Sequence, residues 1–284
     1  MLSRRAFLAA PIVPVLQGQE RMFANAEAYE RFMGRWSRIV ALQLIEFTGI
    51  PDRGRVLDVG SGTGALSFAL AGIHPRTDIL GIDPSKEFVE YATSRNSFGD
   101  RAAFEVGDAQ QMRFPDSTFD ASLSLLVFNF IPDPSKALRE VRRVTKPGGQ
   151  ISAAVWDYGD GMKMLRAFWD AAVKIDPKAE KFDEKHMPLC RAGQLSALWR
   201  QERLESVHEQ PLTIRMKFES FADYWEAFLL GQGPAGVYAK SLSSDQSQAL
   251  RGELKRRLSM ASGNSPFELS GKVWAVRGRT PYRP

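Results

Sequence analysis

The sequence is short of the residues that form disulfides and metal sites. Its 284 residues include one cysteine, Cys190, and three histidines. A single cysteine excludes an intrachain disulfide and suits a reducing compartment. Because zinc sites are built mainly from cysteine and histidine, we predict that the protein holds no metal.

Long apolar runs and a large charge of one sign are missing as well. No apolar run approaches the ~20 residues that a helix needs to cross a bilayer, so we predict no membrane span. The 38 basic and 33 acidic residues leave a net charge of +5, which is small for this length. The basic clusters at 139–146 and 251–257 have the spacing of solvated helix faces, so we expect no nucleic-acid partner. The composition, 44% hydrophobic and 25% charged, is that of an ordinary globular protein and leaves the oligomeric state open.

The N-terminal segment has more than one interpretation. A pair of arginines, Arg4 and Arg5, precedes a short apolar stretch, and this resembles a twin-arginine export signal at residues 1–26. The residues just before the candidate cleavage site are charged, however, and two prolines interrupt the apolar stretch. We therefore prefer to interpret residues 1–23 as an N-terminal extension, translated from an early start, with export as the alternative.

Beyond this segment the hydrophobic pattern predicts alternating strands and helices. Residues 24–48 carry apolar side chains at steps of three and four, which predicts a helix. A later helix is predicted from Pro134 to Thr145, ended by Pro147-Gly148-Gly149. Five short apolar runs alternate with the helical patterns: "RVLDVG", "TDILGID", "AAFEVGDA", "FDASLSLLVF" and "QISAAVW". This alternation predicts an α/β fold with a doubly wound parallel sheet, in which every strand ends at the same edge.

After Trp156 the alternation stops. Residues 157–200 and 219–260 are predicted to be mostly helical, the latter interrupted by "GQGPAG" at 231–236. Between and after them, "ESVHEQPLTIRMKF" and "SGKVWAVRG" predict two further strands. We divide the chain into the extension at 1–23, an α/β core that carries the ligand site at 24–158, a C-terminal part of the core with helical lid insertions at 159–262, and a last strand and tail at 263–284.

The stretch "VLDVGSGTGA" at 56–65 is the first candidate site. Its glycines, Gly60, Gly62 and Gly64, permit a tight turn and a close approach of a ligand to the backbone. Their spacing to Ala65 fits the dinucleotide fingerprint of NAD enzymes, and it fits equally a loop that holds S-adenosylmethionine. The loop alone leaves this choice open.

Three acidic residues discriminate between these cofactors. Asp83 ends the second strand, where a carboxylate can accept hydrogen bonds from ribose hydroxyls, and this suits both cofactors. Asp108 follows the third strand, where a carboxylate and the next backbone N–H can together bind the adenine edge. Asp58 lies inside the first strand, where it would repel a pyrophosphate and stabilise an ammonium group and a sulfonium. We therefore predict S-adenosylmethionine.

The order of these motifs resembles the class I S-adenosylmethionine-dependent methyltransferases. Over about residues 28–158 the chain is similar to the small-molecule branch of that family, which includes the methyltransferases of quinone biosynthesis. The matching stretches are "VLDVGSGTG", "GIDPS", "GDAQQMRFPDSTFDASLS", "FIPDPSKALREVRRVTKPGG" and "SAAVWDY". The resemblance implies a Rossmann-like, mostly parallel, seven-stranded sheet with a helical lid, and a methyltransferase whose cofactor product is S-adenosylhomocysteine.

The resemblance also implies roles for individual residues. The implied cofactor site comprises loop residues along the methionine and ribose (Gly60, Ser61, Gly62, Gly64), partners of the ammonium group (Asp58 and the backbone of Leu125 and Leu126), a ribose partner (Asp83) and adenine partners (Asp108, Ala109, Pro84 and Met112). Residues around Tyr29, Arg35 and Trp36 are expected to fold over the cofactor, although they fit a core-facing helix stripe equally well.

The methyl acceptor is expected beyond the methyl group, at the strand edge near Asn129 and Trp156. Candidate polar groups for catalysis there are Asn129, Asp157, Tyr158, His186 and Tyr224, and no one of them is preferred. The aromatic and methionine side chains of the lid indicate either an apolar acceptor pocket or the lid's own core; they are Met164, Phe168, Trp169, Met187, Trp225 and Phe228.

We therefore predict transfer of a methyl group to a small, partly apolar metabolite, with the methylated atom left open. The alternatives are a methyltransferase acting on RNA or protein, and a non-catalytic protein that binds S-adenosylmethionine. The cofactor is consumed stoichiometrically and is made inside the cell, so we expect a cytoplasmic location.

Overall fold

A computed structural model describes residues 25–259 and 265–282 of the chain. The predicted extension at 1–23 lies outside these residues. Within them, seven strands form one sheet in the order β3-β2-β1-β4-β5-β7-β6. The strands are β1 (Gly54–Val59), β2 (Thr77–Asp83), β3 (Ala102–Val106), β4 (Phe119–Leu125), β5 (Thr145–Trp156), β6 (Glu205–Phe218) and β7 (Phe267–Arg279).

The sheet is mostly parallel. Strands β1 to β5 pair in parallel, whereas β7 pairs antiparallel with both β5 and β6. The predicted seven-stranded, Rossmann-like α/β fold is thus confirmed. β6 carries Pro211 within the strand, which the fold accommodates because β6 is an edge strand with one unpaired side.

Helices follow most of the strands. They are α1 (Ala26–Tyr29), α2 (Arg35–Thr48), α3 (Ala65–Ile73), α4 (Lys86–Arg95), α5 (Pro134–Val144), α6 (Lys163–Ile175), α7 (Gln194–Gln201), α8 (Phe221–Leu229), α9 (Gly233–Ser241) and α10 (Ser244–Arg257). No helix among the described residues is long and apolar enough to cross a membrane.

Three predicted segments differ in detail from the structure. A π-helical stretch, Glu30–Gly34, separates α1 from α2, so residues 24–48 are not one regular α-helix. Helix α5 ends at Val144, and Pro147-Gly148-Gly149 lies inside β5, because Thr145 already pairs with Phe119 of β4.

The third difference is the extent of the predicted interruption at 231–236. Helix α9 begins at Gly233 and contains Pro234 in its first turn. Proline is tolerated there, since the first N–H groups of a helix have no partner within the helix. The break between α8 and α9 is therefore confined to residues 230–232.

Helices cover both faces of the sheet. On β7, the Arg277 guanidinium donates to the Phe47 carbonyl of α2 at 2.7 Å. A Cβ at the next residue, Gly278, would lie 3.0 Å from Trp199 of α7. Because successive side chains of a strand point to opposite faces, α2 and α7 lie on opposite sides of the sheet.

The chain reverses its direction of travel across the sheet between β1 and β4. From β1 the sheet extends through β2 and β3 on one side and through β4 and β5 on the other. At such a switch point a crevice opens beyond the carboxyl ends of the strands, and ligands of doubly wound sheets bind there.

Candidate functional site

A cavity of about 630 Å³ lies at this switch point. Its wall includes residues at or just beyond the ends of all five parallel strands: Gly60, Asp83, Asp108, Leu125 and Trp156. The volume is within the range of about 300–1,000 Å³ that small-molecule sites occupy. The sheet therefore forms one ligand-sized crevice from residues far apart in the sequence.

Backbone N–H groups of the glycine-rich loop after β1 donate hydrogen bonds within the protein. Gly60 and Ser61 both donate to the Ile82 carbonyl, at 2.8 and 2.9 Å. The N–H of Gly62 donates to Asp83 Oδ2 at 2.9 Å. A pyrophosphate bound at such a loop needs free backbone N–H groups. Three consecutive N–H groups of the loop are therefore unavailable to a phosphate.

Two of the loop glycines are required by geometry. Gly60 has φ +72°, and a Cβ there would lie 2.5 Å from the methyl groups of Val127. Gly62 has φ +51° and lines the cavity, with no protein atom nearer to its would-be Cβ than Phe88 at 3.9 Å. Gly60 thus lets the chain pass Val127, whereas Gly62 leaves space for a ligand.

Gly64 does not line the cavity. Its N–H donates to the Ser61 carbonyl at 2.9 Å, and its φ of +91° starts helix α3. We therefore place this predicted binding residue in the turn and not against the ligand.

Asp58 is a fully buried carboxyl at the base of the cavity. Ser67 Oγ donates to its Oδ2 at 2.7 Å, whereas Oδ1 has no hydrogen-bond partner in the described part of the chain. Burial raises the pKa of Asp58 to about 7, with a further increase from the nearby charge of Asp83. A cation that enters the cavity would stabilise the ionised form of this carboxyl.

Asp83 ties the glycine loop to the start of helix α4. Besides the bond from Gly62, its Oδ1 accepts from the N–H of Ser85 at 2.9 Å. Burial raises its pKa, while these two backbone donors lower it. The residue lines the cavity, so both oxygens are held in fixed positions beside the space for a ligand.

The predicted adenine partners divide into two groups. Asp108, Ala109 and Pro84 line the cavity, and Asp108 is exposed and accepts from the N–H of Gln110 at 2.8 Å. Met112 is buried outside the cavity wall and is therefore not a contact residue.

The end of β4 is strained where it reaches the cavity. Leu126 has φ +64°, an unusual conformation for a leucine, and its N–H donates to the Ala154 carbonyl at 2.8 Å. Leu125 and Leu126 both line the cavity. Because the N–H of Leu126 is engaged, its carbonyl remains as the backbone group suited to an ammonium ligand.

The N-terminal helix contributes Tyr29 to the cavity wall, but not Trp36. The Tyr29 ring lies 5.5 Å from Phe88, and burial raises its pKa. Trp36 packs in the core, 5.3 Å from Phe218, and Arg35 pairs with Asp223 at 3.0 Å. Of these predicted residues, Tyr29 alone lines the crevice, and Trp36 belongs to the core-facing stripe.

Of the five candidate catalytic groups, Tyr158 lines the cavity. Burial holds the pKa of this buried phenol well above its ordinary value. Asn129 lies outside the wall and donates to the Met187 sulfur at 3.5 Å. Asp157 is also outside, paired with Lys272 at 2.7 Å.

The remaining two candidates are remote from the cavity wall. His186 is exposed and lies 3.2 Å from Glu180. Tyr224 is fully buried and donates to the Met164 carbonyl at 2.9 Å. We therefore omit His186 and Tyr224 from the site.

Sequence reasoning missed Glu184, a buried carboxyl in the cavity wall. Its Oε2 accepts from the indole N–H of Trp169, and burial raises its pKa to about 8. Glu184 lies in a short 3-10 helix, Glu184–His186, where no periodic pattern marks a buried position. No signal in the sequence separates it from the exposed charges around it.

The aromatic residues of the lid form a core and not the cavity wall. None of the six predicted pocket residues lines the cavity. Phe168 stacks on Phe228 with ring centroids 4.4 Å apart, and Trp169 lies 5.4 Å from Tyr238. The interpretation of these side chains as the lid's own core therefore agrees with the structure.

The fold and the crevice define a doubly wound α/β protein with a ligand site built from carboxylates at the strand ends. Residues 57–153 match the family model of the methyltransferase domain. This chain contains a class I S-adenosylmethionine-dependent methyltransferase domain.

Curated relatives show the same domain. The ubiquinone/menaquinone biosynthesis C-methyltransferase UbiE of Desulfotalea psychrophila is 35% identical over 142 residues, covering 47% of this chain and 56% of that protein. The malonyl-[acyl-carrier protein] O-methyltransferase of Geobacter sulfurreducens is 31% identical over 180 residues, covering 60% and 66%. The chain thus spans less than two thirds of the length of these relatives.

Solved structures share the fold at low sequence identity. The YcgJ protein of Bacillus subtilis has a TM-score of 0.57 at 19% identity, covering 86% of this chain and 99% of that one. Phosphoethanolamine N-methyltransferase 2 of Haemonchus contortus, in complex with S-adenosyl-L-methionine, has a TM-score of 0.59 at 17% identity, covering 95% and 60%.

The polar groups of the crevice fit S-adenosylmethionine. Two buried acceptor atoms in the wall, Asp58 Oδ1 and Ser61 Oγ, have no hydrogen-bond partner among the described residues. Asp83 and Asp108 add carboxylates that suit hydroxyl and amino donors. In residues 25–259 and 265–282, no group of three or more His, Cys, Asp or Glu side chains is placed to hold a metal ion.

Proposed function

We propose that this protein is an S-adenosylmethionine-dependent methyltransferase that acts on a small, partly apolar metabolite. One observation carries the proposal: carboxylates at the ends of β1 and β2 and after β3 line a crevice beside a loop whose first three N–H groups, from Gly60 to Gly62, are engaged internally. Such a wall favours a cationic, hydroxyl-rich ligand and disfavours a pyrophosphate. The family match of residues 57–153 supports the same assignment.

Each part of the wall has its own binding task. Asp58 and the carbonyl of Leu126 take the ammonium group, Asp83 takes the ribose hydroxyls, and Asp108 with the N–H of Ala109 takes the adenine edge. Tyr29 and Pro84 close over the ring system. These tasks follow from the donors and acceptors that each group offers toward the cavity.

When bound, S-adenosylmethionine supplies a methyl group that is already activated by the sulfonium charge. The residues of this chain therefore need mainly to align the acceptor and to exclude water. The far end of the crevice serves this purpose with Trp156, Tyr158 and Leu165, all buried. A proton acceptor is required where the acceptor atom carries a proton.

The names of the curated relatives support a small-molecule acceptor. They include a ubiquinone/menaquinone biosynthesis C-methyltransferase and a 2-methyl-6-phytyl-1,4-hydroquinone methyltransferase. We also propose a cytoplasmic location, because the cofactor is made inside the cell and is used up once per turnover.

A radiolabelled methyl-transfer assay tests the proposed function. The purified protein is incubated with labelled S-adenosylmethionine and, in parallel, with a small-molecule extract, total RNA and total protein. We expect label in the small-molecule fraction. Label confined to RNA or protein, or cofactor binding without any transfer, would overturn the proposal.

A further inference from the structure

Among the described residues, Glu184 is the lining carboxyl that comes from the C-terminal half of the chain. Trp156, Tyr158 and Leu165 line the same cavity, and the charge of Glu184 acts on the Tyr158 phenol. Glu184 is 5% exposed, so its charge is largely removed from bulk water. A buried carboxyl is costly unless it is paired or neutral, which raises the question of its partner.

A buried ion pair holds the Glu184 backbone in place. The guanidinium of Arg166 on α6 binds both oxygens of Asp183, each at 2.7 Å. Asp183 also accepts from the N–H of Lys185 at 2.9 Å. Both members of the pair are buried, so the turn that carries Glu184 is fixed against α6.

The carboxyl of Glu184 has one oxygen engaged and one available. Oε2 accepts from the Trp169 indole, and Oε1 has no hydrogen-bond partner among the described residues. The charged and titratable groups that act on it are Asp183, Arg166 and Tyr158. Arg166 is paired with Asp183 and acts on Glu184 only through its charge, and in the described part of the chain no cation forms an ion pair with the Glu184 carboxyl.

The charge of the cavity wall indicates which ligand group would bind the available oxygen of Glu184. Among the described residues four carboxyl groups line the cavity, namely Asp58, Asp83, Asp108 and Glu184, and Lys86 in the wall is paired with Glu90 at 3.2 Å. Those of the four that are ionised repel an acceptor that is anionic, or that becomes so before transfer. Aromatic faces beside a buried carboxylate instead favour a cation.

We propose that Glu184 is the acceptor-binding carboxylate and that the acceptor is an apolar or aromatic amine, held with its ammonium against Oε1. This inference rests on the proposed function and names its substrate class. Before transfer, one proton moves from the ammonium nitrogen to Glu184 Oε1. The nitrogen then keeps its lone pair and becomes neutral, and the carboxylate becomes a neutral carboxylic acid.

The wild-type protein alone provides a test through proton release. Near pH 7 the buried Glu184 is mostly protonated, because burial raises its pKa to about 8. Binding of an ammonium ion must then release roughly one proton to the buffer, whereas a neutral alcohol releases none. Calorimetry with benzylamine and with benzyl alcohol, in two buffers of different ionisation enthalpy and with S-adenosylhomocysteine present, measures this difference.

Two variants locate the effect. Glu184→Gln removes the charge, and Glu180→Gln is the matched control, since Glu180 is on the same segment but pairs with Lys185 and lies outside the cavity wall. We expect benzylamine to bind the wild type and Glu180→Gln with proton release, and Glu184→Gln to bind it roughly tenfold or more weakly without release.

Several outcomes would contradict the inference. In the wild type they are equal binding of benzylamine and benzyl alcohol, binding of benzylamine without proton release, and no binding of benzylamine at its highest usable concentration. In Glu184→Gln the contradicting outcome is unchanged binding of benzylamine. S-adenosylhomocysteine binding is measured first in each variant. If the wild type does not bind S-adenosylhomocysteine, the proposed function is contradicted. If the wild type binds S-adenosylhomocysteine and one of these outcomes is still observed, the amine assignment alone is contradicted.

Discussion

Single residues in this crevice have unusual environments that serve binding at the expense of stability. Asp58 and Glu184 are both buried carboxyls with raised pKa values, and Leu126 is held in a left-handed conformation at the cavity wall. Each is costly to the folded state unless the surrounding structure or a ligand compensates for it. Residues with perturbed pKa values or a strained backbone are concentrated at ligand-binding sites.

Gly60→Ala is expected to destabilise the protein because its methyl group meets Val127 at 2.5 Å and its φ is +72°. The matched control is Gly99→Ala, where φ is +61° and no atom lies within 4 Å of the added Cβ. Both variants strain the backbone, so their difference isolates the clash, which we expect to cost about 1–3 kcal/mol. Urea unfolding measures it, and equal losses in the two variants would contradict this account of Gly60.

Glu184 also predicts how stability depends on pH. Its pKa rises from 4.5 to about 8 in the folded protein, chiefly through burial, and that of Asp58 rises from 3.8 to about 7. Between about pH 4 and pH 8, where these groups are protonated in the folded state and ionised in the unfolded state, the folded state binds more protons. The free energy of unfolding therefore falls as pH increases, by up to about 1.4 kcal/mol per pH unit per group.

Between pH 7 and pH 8 most of this decrease comes from Glu184, and a smaller part comes from Asp58, whose titration is then half complete. Glu184→Gln should thus lose most of the slope in that interval, whereas Glu180→Gln, whose carboxyl has a lowered pKa, should keep it. Urea unfolding at several pH values measures both. An unchanged slope in Glu184→Gln would show that its carboxyl does not titrate there.

The sequence predicted the carboxyl groups of the cofactor half better than those of the acceptor half. Asp58, Asp83 and Asp108 lie in or just after regular strands, so their positions follow from strand periodicity and the common sheet edge. Glu184 lies in an irregular turn whose position depends on the Arg166–Asp183 pair. That contact joins residues from separate elements, and no local pattern encodes it.

At the scale of elements, regular segments were predictable and their ends were not. β6 spans Glu205–Phe218, the whole of the predicted strand, because its alternating pattern is local. The end of α5 depended instead on pairing between Thr145 and Phe119 across the sheet. The helix therefore ends before the Pro-Gly-Gly sequence, which becomes part of β5.

A buried ion pair ties the turn before the 3-10 helix Glu184–His186 to α6. Asp183→Asn leaves the buried guanidinium of Arg166 with only the more distant carboxylate of Asp170, at 3.9 Å, and we expect a loss of about 3–5 kcal/mol in the free energy of unfolding. As a control, Asp160→Asn breaks an exposed pair with Lys163 and should cost less than about 1 kcal/mol. Urea unfolding compares them, and a similar small loss in both would contradict a structural role for the buried pair.

At the scale of the whole molecule, the crevice is closed by parts of the chain that are far apart in sequence. Tyr29 and Phe32 come from the N-terminal helices, whereas Glu184 and Gly233 come from the C-terminal half. The Arg35–Asp223 pair, at 3.0 Å, joins these two parts. The sheet was predictable from sequence because its units are local, but this closure was not, since it depends on contacts across the molecule.

The central claim is that this crevice binds the S-adenosyl nucleoside, and calorimetric titration with S-adenosylhomocysteine tests it most directly. Asp83→Ala should weaken binding roughly tenfold or more, because it removes both the charged acceptor in the wall and the anchor of Gly62. Asp78→Ala, an exposed residue on the same strand, serves as the control and should bind as the wild type does. Unchanged affinity in Asp83→Ala would contradict the assignment of this crevice.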